Sequence, residues 1–170
     1  MRATPRVFTQ ELQVSIQDLD IDDVLNSEYP YQQQMVKAIV DNGGVNLVSP
    51  EDVNRYKDRV IKIENYERHS KTLADACRAV ATLFSHDGPV TCHLFLSPAG
   101  ASSFELHTDP DDVVLFLLEG SKGFYVAESF FQLGAKDFLF IPHDVLHQAI
   151  TFDDSVMLSF GLEKYVSEKL

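Results

Sequence analysis

His107-Thr108-Asp109-Pro110-Asp111-Asp112-Val113 leads into an apolar run to Leu118, and some forty residues after His107 comes Ile141-Pro142-His143-Asp144-Val145-Leu146-His147. The reading of the chain turns on these two stretches. Two imidazoles and one carboxylate form the ligand set of a non-haem Fe(II) facial triad, which leaves three coordination positions open. On a strand, positions i and i+2 project from one face, so His107 and Asp109 are expected to grip one ion together. The distal histidine must then come from a second strand facing the first. His143 and His147 compete for that role. Pro142 to Leu146 reads as a tight connection that returns the chain before the ligand enters. This favours His147 and leaves His143 exposed or beside the site. A catalytic zinc with two histidines, a carboxylate and water draws on the same residue types, so the triad alone leaves the metal open.

Working outward, the apolar run Val113 to Leu118 has the composition of a strand covered on both faces. Val90 to Leu96, Phe124 to Val126, Phe138 to Ile141 and Val156 to Phe160 are further strand candidates, separated by turns rich in Gly, Pro and Asp. Short strands at such intervals predict a sandwich or barrel of the jelly-roll kind, the class that includes cupins. The mouth of such a barrel is a natural ligand pocket. Phe95, Phe104, Phe124 and Phe140 are available either as its apolar walls or as ordinary core.

Before residue 88 the character changes to helical or mixed. Asp18 to Leu25 and Pro30 to Val40 are consistent with short helices, ended by Asn42-Gly43-Gly44, and Val45 to Val48 alternates weakly as a short strand. Ser49-Pro50-Glu51-Asp52 has the signature of a helix start, with a Ser N-cap, Pro in the first turn and acids at the positive end of the dipole. The clearest helix spans about Ser70 to Ser85. There Leu73, Cys77, Val80 and Phe84 fall at helical spacing, and Ala76 and Leu83 widen the stripe. Cys77 therefore packs in a core-facing surface. His69 and His86 lie near helix ends and read as surface or capping residues. The expectation is one domain over 1–170: mainly β with N-terminal helices, a helical or mixed buttress over 1–88 and a barrel core over 89–165.

Composition bounds the partners. A chain of 170 residues with 45% hydrophobic and 24% charged residues is an ordinary globular domain, long enough for a real core. Its net charge of −12 argues against a nucleic-acid backbone or an anionic membrane as the main partner. Cys77 and Cys92 form no CxxC pair, which fits a reducing cytoplasm. No long apolar run follows Met1, so no signal peptide is expected, and no stretch has the length of a membrane span. Nothing distinguishes a monomer from a homodimer.

Lys122, in the Gly-flanked turn Glu119-Gly120-Ser121-Lys122-Gly123, is a solvated turn residue on one reading. On the other, the sheet returns it beside the metal, where it meets an anionic co-substrate as a point charge.

These segments together resemble the core of the JmjC-type cupin oxygenases, nearest to the ribosomal-oxygenase, or cupin-4-like, branch. That pattern runs from an SP-containing turn through HxDxxDV, an apolar strand and an EGxK turn to a GDxLxIPxxxxH element. Here it reads Ser97-Pro98, His107 to Val113, Leu118 to Lys122, and Gly134-Ala135-Lys136-Asp137-Phe138-Leu139-Phe140-Ile141-Pro142 on to His147, covering roughly residues 90 to 161. The resemblance implies a double-stranded β-helix barrel that uses Fe(II), O2 and 2-oxoglutarate to hydroxylate a protein side chain, an amino acid or peptide, or a small molecule. By that resemblance His107, Asp109 and His147 hold the iron, and Lys122 binds the distal carboxylate of 2-oxoglutarate. The retained Asp109 favours hydroxylation over the halogenation of relatives that lack it. Two alternatives remain at this point: a cupin dioxygenase or isomerase without 2-oxoglutarate, and a non-catalytic metal-binding cupin.

The chain departs from the pattern in places. Thr108 stands where an aromatic residue is frequent, and His93 and Phe95 lie where Asn and Tyr are usual. Leu117 replaces a Gln before the turn, and the aromatic after the lysine survives only as Phe124 or Tyr125. These changes spare the metal residues and bear on the substrate and on some co-substrate contacts. The chain ends soon after the barrel, so the dimerisation and winged-helix regions of full ribosomal oxygenases are expected to be absent and a ribosomal substrate is not favoured.

Overall fold

The computed structural model describes residues 3–164. Both ends of the domain expected over 1–170, and residue 165 at the end of the expected barrel core, lie outside that range. Eleven strands are described: β1 (Arg6–Thr9), β2 (Val36–Val40), β3 (Gly43–Asn46), β4 (Ile61–Ile63), β5 (Val90–Ser97), β6 (Asp112–Glu119), β7 (Lys122–Val126), β8 (Ser129–Leu133), β9 (Asp137–Ile141), β10 (His147–Thr151) and β11 (Ser155–Leu162). Eight form one antiparallel sheet in the order β1-β9-β6-β11-β5-β4-β2-β3, and three form a second in the order β10-β7-β8. The helices are α1 (Ile21–Leu25), α2 (Tyr29–Gln32), α3 (Pro50–Arg55) and α4 (Lys71–Leu83).

Strand β6 shows why the molecule has two cores. Val114, Phe116 and Leu118 point to one side of the sheet, into a cluster with Leu73, Ala76, Cys77 and Val80 of α4. Val113, Leu115 and Leu117 point to the other, into a cluster with Phe124 and Val126 of the smaller sheet. A strand covered on both faces must be apolar at every position, and this one is. Ser70 caps α4 by accepting a hydrogen bond from the Leu73 amide at 3.3 Å. Leu83 departs from expectation and is exposed, while Phe84 beside it packs against the core.

The first half is less helical than its sequence suggests. The helix expected over Pro30 to Val40 stops at Gln32, Gln34 adopts a left-handed φ of 55°, and Val36–Val40 forms β2. Its β-branched residues favour the pleated sheet, where Val36 and Ala38 bury one face. Asp41 and Asn42, with φ of 49° and 67°, make the two-residue turn into β3. Positive φ at both central positions is the hairpin turn that matches strand twist. Strands β1 to β4 all join the larger sheet, so the first half extends the barrel wall as well as covering it. At α3 the Ser49 side chain makes no capping bond. Asp52 instead accepts the Val48 amide at 2.9 Å.

Candidate metal centre

Between the two sheets lies a cavity of about 250 Å³. Its lining includes all three expected metal ligands together with Lys122, Phe95, Phe104 and Phe124. Phe140 belongs instead to the outer core, stacked on Phe84 at 5.2 Å.

The candidate ligands converge by a route different from the one expected. His107 and Asp109 do not lie on a regular strand. The segment between β5 and β6 is irregular there, and His107 makes only an isolated antiparallel bridge to His147, the first residue of β10. That bridge has two backbone hydrogen bonds, from His107 N to His147 O at 3.1 Å and from His147 N to His107 O at 2.9 Å. It holds the imidazole centroids 4.3 Å apart. Ligand atoms of His107, Asp109 and His147 all lie within 4.8 Å of one another. Asp109 Oδ2 is 3.2 Å from His147 Nε2, and Asp109 Oδ1 is 4.0 Å from His107 Nε2.

Both rings are oriented by carbonyls two residues before them. His107 Nδ1 lies 2.6 Å from Glu105 O, and His147 Nδ1 lies 2.9 Å from Val145 O. A carbonyl only accepts, so each Nδ1 carries the proton and each Nε2 can offer its lone pair to a cation. Neither carbonyl is legible from motif spacing, since any residue supplies one. When the metal-free His147 ring also carries a proton on Nε2, its hydrogen bond holds the Asp109 carboxyl below its ordinary range against the opposing effect of burial. Burial pulls the His147 imidazole down, but the Asp109 and Val145 contacts outweigh it and raise the ring above its usual value.

His143 takes no part. Its backbone N and its Nδ1 both meet Asp112 Oδ1 at 2.8 Å, and it is not among the residues lining the cavity. Asp144, with φ of 58°, provides the tight return that the distal-ligand argument required, and its amide bonds Asp109 O at 2.9 Å.

Lys122 is a buried residue rather than a solvated one. It opens β7, is 1% exposed, and donates to Ser97 Oγ at 2.9 Å. Burial depresses its ammonium to about 8. No carboxylate pairs with it among the described residues, although buried charges are normally paired. Thr151, cross-strand from Lys122, and Ser155, cross-strand from Ser97, each bury a hydroxyl without a partner. This corner therefore has hydrogen-bonding capacity that the protein leaves unused. Ser97, Thr151 and Ser155 were not singled out from sequence. For Ser97 the signal is the period-2 alternation of β5, which turns Thr91, His93, Phe95 and Ser97 toward one face; Thr151 and Ser155 come from other strands and join it only through strand pairing.

No protein-family model and no curated protein matches the chain. Solved structures do. The chain superposes on YcfD, a ribosomal oxygenase from Escherichia coli, in complex with cobalt and 2-oxoglutarate, with TM-score 0.76 and 15% identity, covering 98% of this chain and 50% of that one. A YcfD structure with cobalt and succinic acid gives TM-score 0.70 and 16% identity, covering 96% and 49%. The chain thus spans about half the length of these structures. The likeness shows the fold, a double-stranded β-helix barrel of the cupin kind, as the sequence pattern implied.

Proposed function

We propose that the chain is an Fe(II)- and 2-oxoglutarate-dependent oxygenase that hydroxylates a protein side chain, an amino acid or peptide, or a small molecule. The observation that carries this reading is Lys122: a buried ammonium with one neutral partner, facing the same cavity as the two-histidine, one-carboxylate cluster. A buried cation held without a counter-charge is costly unless a ligand supplies one. A cupin that only bound a metal would have no use for it. The YcfD structure with cobalt and 2-oxoglutarate makes the same co-substrate a reasonable choice for this fold.

In this reading His107 and His147 would hold iron through Nε2 and Asp109 through a carboxylate oxygen. Fe(II), with 2-oxoglutarate and O2 bound, supplies oxidative decarboxylation to succinate and CO2 and hydroxylation of a substrate C–H bond. The chain's own residues position the participants. The Glu105 and Val145 carbonyls fix the imidazole rings, and Lys122, steadied by Ser97, receives the distal carboxylate. Thr151 and Ser155 add donors at that corner. Leu115, Phe124 and Met157 form apolar walls that exclude water. Buried, unpaired Cys77 and Cys92 fit a reducing compartment such as the cytoplasm. No helix among the described residues is long and apolar enough to cross a membrane.

The test is anaerobic titration of the Fe(II)-loaded protein with 2-oxoglutarate, following the weak visible metal-to-ligand charge-transfer band. A saturable band that Lys122→Ala weakens is expected. No band at saturating co-substrate would leave a cupin metalloenzyme of another kind as the better reading.

A further inference from the structure

The same cavity has a second polar wall that the co-substrate does not explain. It lies on β4 and β5, where the chain turns His93 and Lys62 inward, with Lys62 cross-strand from Phe95. Ser97, which holds Lys122, is four residues along β5 from His93, about 13 Å of strand. The two cationic corners are therefore separate places. His93 is held in one tautomer. The Asn65 amide donates to its Nδ1 at 3.0 Å, so that nitrogen is the acceptor and the ring proton sits on Nε2. Burial, with the charges of Lys62 and Lys37, lowers this imidazole to about 4, and the ring is neutral at physiological pH. Its Nε2–H has no acceptor among the described residues.

Lys62 is similarly under-used. Its Nζ meets Glu64 Oε1 at 3.1 Å and sits 5.6 Å from the Phe95 ring centroid. Glu64 is shared with Lys37, which meets its other oxygen at 2.5 Å. Lys37 and Lys62 thus share one carboxylate, that of Glu64, while Asp109, Asp111 and Glu163 line the cavity beside them. Neutral His93 and Lys62 present only donors. A group that only accepts and carries negative charge complements these two donors, whereas an amide offers them only a neutral oxygen.

We propose that His93 and Lys62 form the prime-substrate subsite of this cavity, and that the group they receive is a carboxylate on a substrate with an apolar body. The assignment of the cavity to the prime substrate rests on the oxygenase reading above. The apolar body follows from Phe95, Phe104 and Met157, which line the same space.

The test uses the full chain loaded with Zn(II) and saturated with 2-oxoglutarate, and ligand-observed NMR with matched probes: butyrate against butyramide, and benzoate against benzamide. The acids should bind about tenfold tighter than the amides, in line with a charge-assisted hydrogen bond. Lys62→Met and His93→Leu should lose that preference. His93→Gln should restore it, because its side-chain oxygen can take the Asn65 amide while its nitrogen donates. If His93→Leu fails to fold, Lys62→Met carries the test. Equal binding of acids and amides, or a preference that survives Lys62→Met, overturns the proposal. A preference abolished by Lys122→Met instead overturns it too, since the acid then sits in the co-substrate corner. Failure of 2-oxoglutarate to bind in the same samples, with the acid preference and its Lys62 dependence intact, defeats the oxygenase reading and leaves the carboxylate subsite standing.

Discussion

Replacing Lys122 by Met should change stability and co-substrate binding in opposite directions. The ammonium is buried and bonded only to Ser97 Oγ, and burial depresses it from 10.5 to about 8. A depression of that size corresponds to about 3 kcal/mol against the charged form. The sign follows from linkage. The unfolded chain binds the proton more tightly, so the penalty is full below about pH 8 and fades as pH rises toward 10.5. Met has a similar length, no charge and no donors, and loses only the Ser97 hydrogen bond, worth about 1 kcal/mol. The protein without co-substrate should therefore be about 2 kcal/mol more stable as Lys122→Met, melting some 4–8 °C higher at pH 7. The variant should lose about a hundredfold or more in 2-oxoglutarate affinity, as expected when one partner of a buried charge pair is removed. In the unsubstituted protein that affinity should weaken about tenfold per unit as pH rises beyond 8, because the neutral amine no longer complements a carboxylate. Calorimetric melts and anaerobic charge-transfer titrations across pH 7 to 9.5 (about the span needed to cross that value) measure both quantities. A variant that melts lower and still binds 2-oxoglutarate within about threefold would refute the reasoning, since Lys122 would then be a structural residue.

His107→Ala and Asp109→Ala should each abolish iron-dependent succinate formation with the circular-dichroism spectrum unchanged, because the backbone bridge that shapes the site uses neither side chain; full turnover in either would sink the metal assignment. His143→Asn should leave metal affinity, measured by equilibrium dialysis, within about threefold, whereas His147→Asn should lower it by orders of magnitude. Metal affinity should fall on acidification, because the His147 proton, held by Asp109 and Val145 above its usual value, competes for Nε2; an affinity flat between pH 5 and 7 (about the range in which imidazoles titrate) would contradict this. Gly120→Ala should destabilise the fold by about 2 kcal/mol or more in a urea titration, since the glycine has φ of 83° and an added Cβ would stand 2.2 Å from Asp154 O.

The sequence was most legible where side chains repeat a simple geometric demand. An apolar residue at each position of Val113–Leu118 pointed to a strand buried on both faces, and β6 is one. The stripe Leu73, Ala76, Cys77, Val80 pointed to α4 and to its packing against the sheet. Legibility failed where tertiary pairing overrides weak local preference. Strands β1, β4 and β8 are three to five residues long, exist through their neighbours, and carry no pattern of their own. At the site, the sequence pointed to His107, Asp109 and His147 as one group and the structure brings them together, but the geometry of their approach could not be read. The i, i+2 argument placed His107 and Asp109 on a strand, whereas a loop and a single cross-strand bridge bring them together. The donors and acceptors that complete the cavity, Ser97, Thr151 and the Glu105 and Val145 carbonyls, depend on which strands become neighbours. That information is not local to any motif.

The paired hydrogen bonds between His107 and His147 also set how the centre would discriminate among ions. The spacing of its two nitrogen ligands is written into the main chain, and a guest cation must adapt to a frame that does not contract around it. Such a frame rewards whichever divalent ion tolerates that spacing and forms strong bonds to imidazole, so intrinsic affinity would follow the general series for nitrogen and oxygen ligands, in which iron ranks low. Iron occupancy would then be decided largely outside the protein, by which metals are available to it.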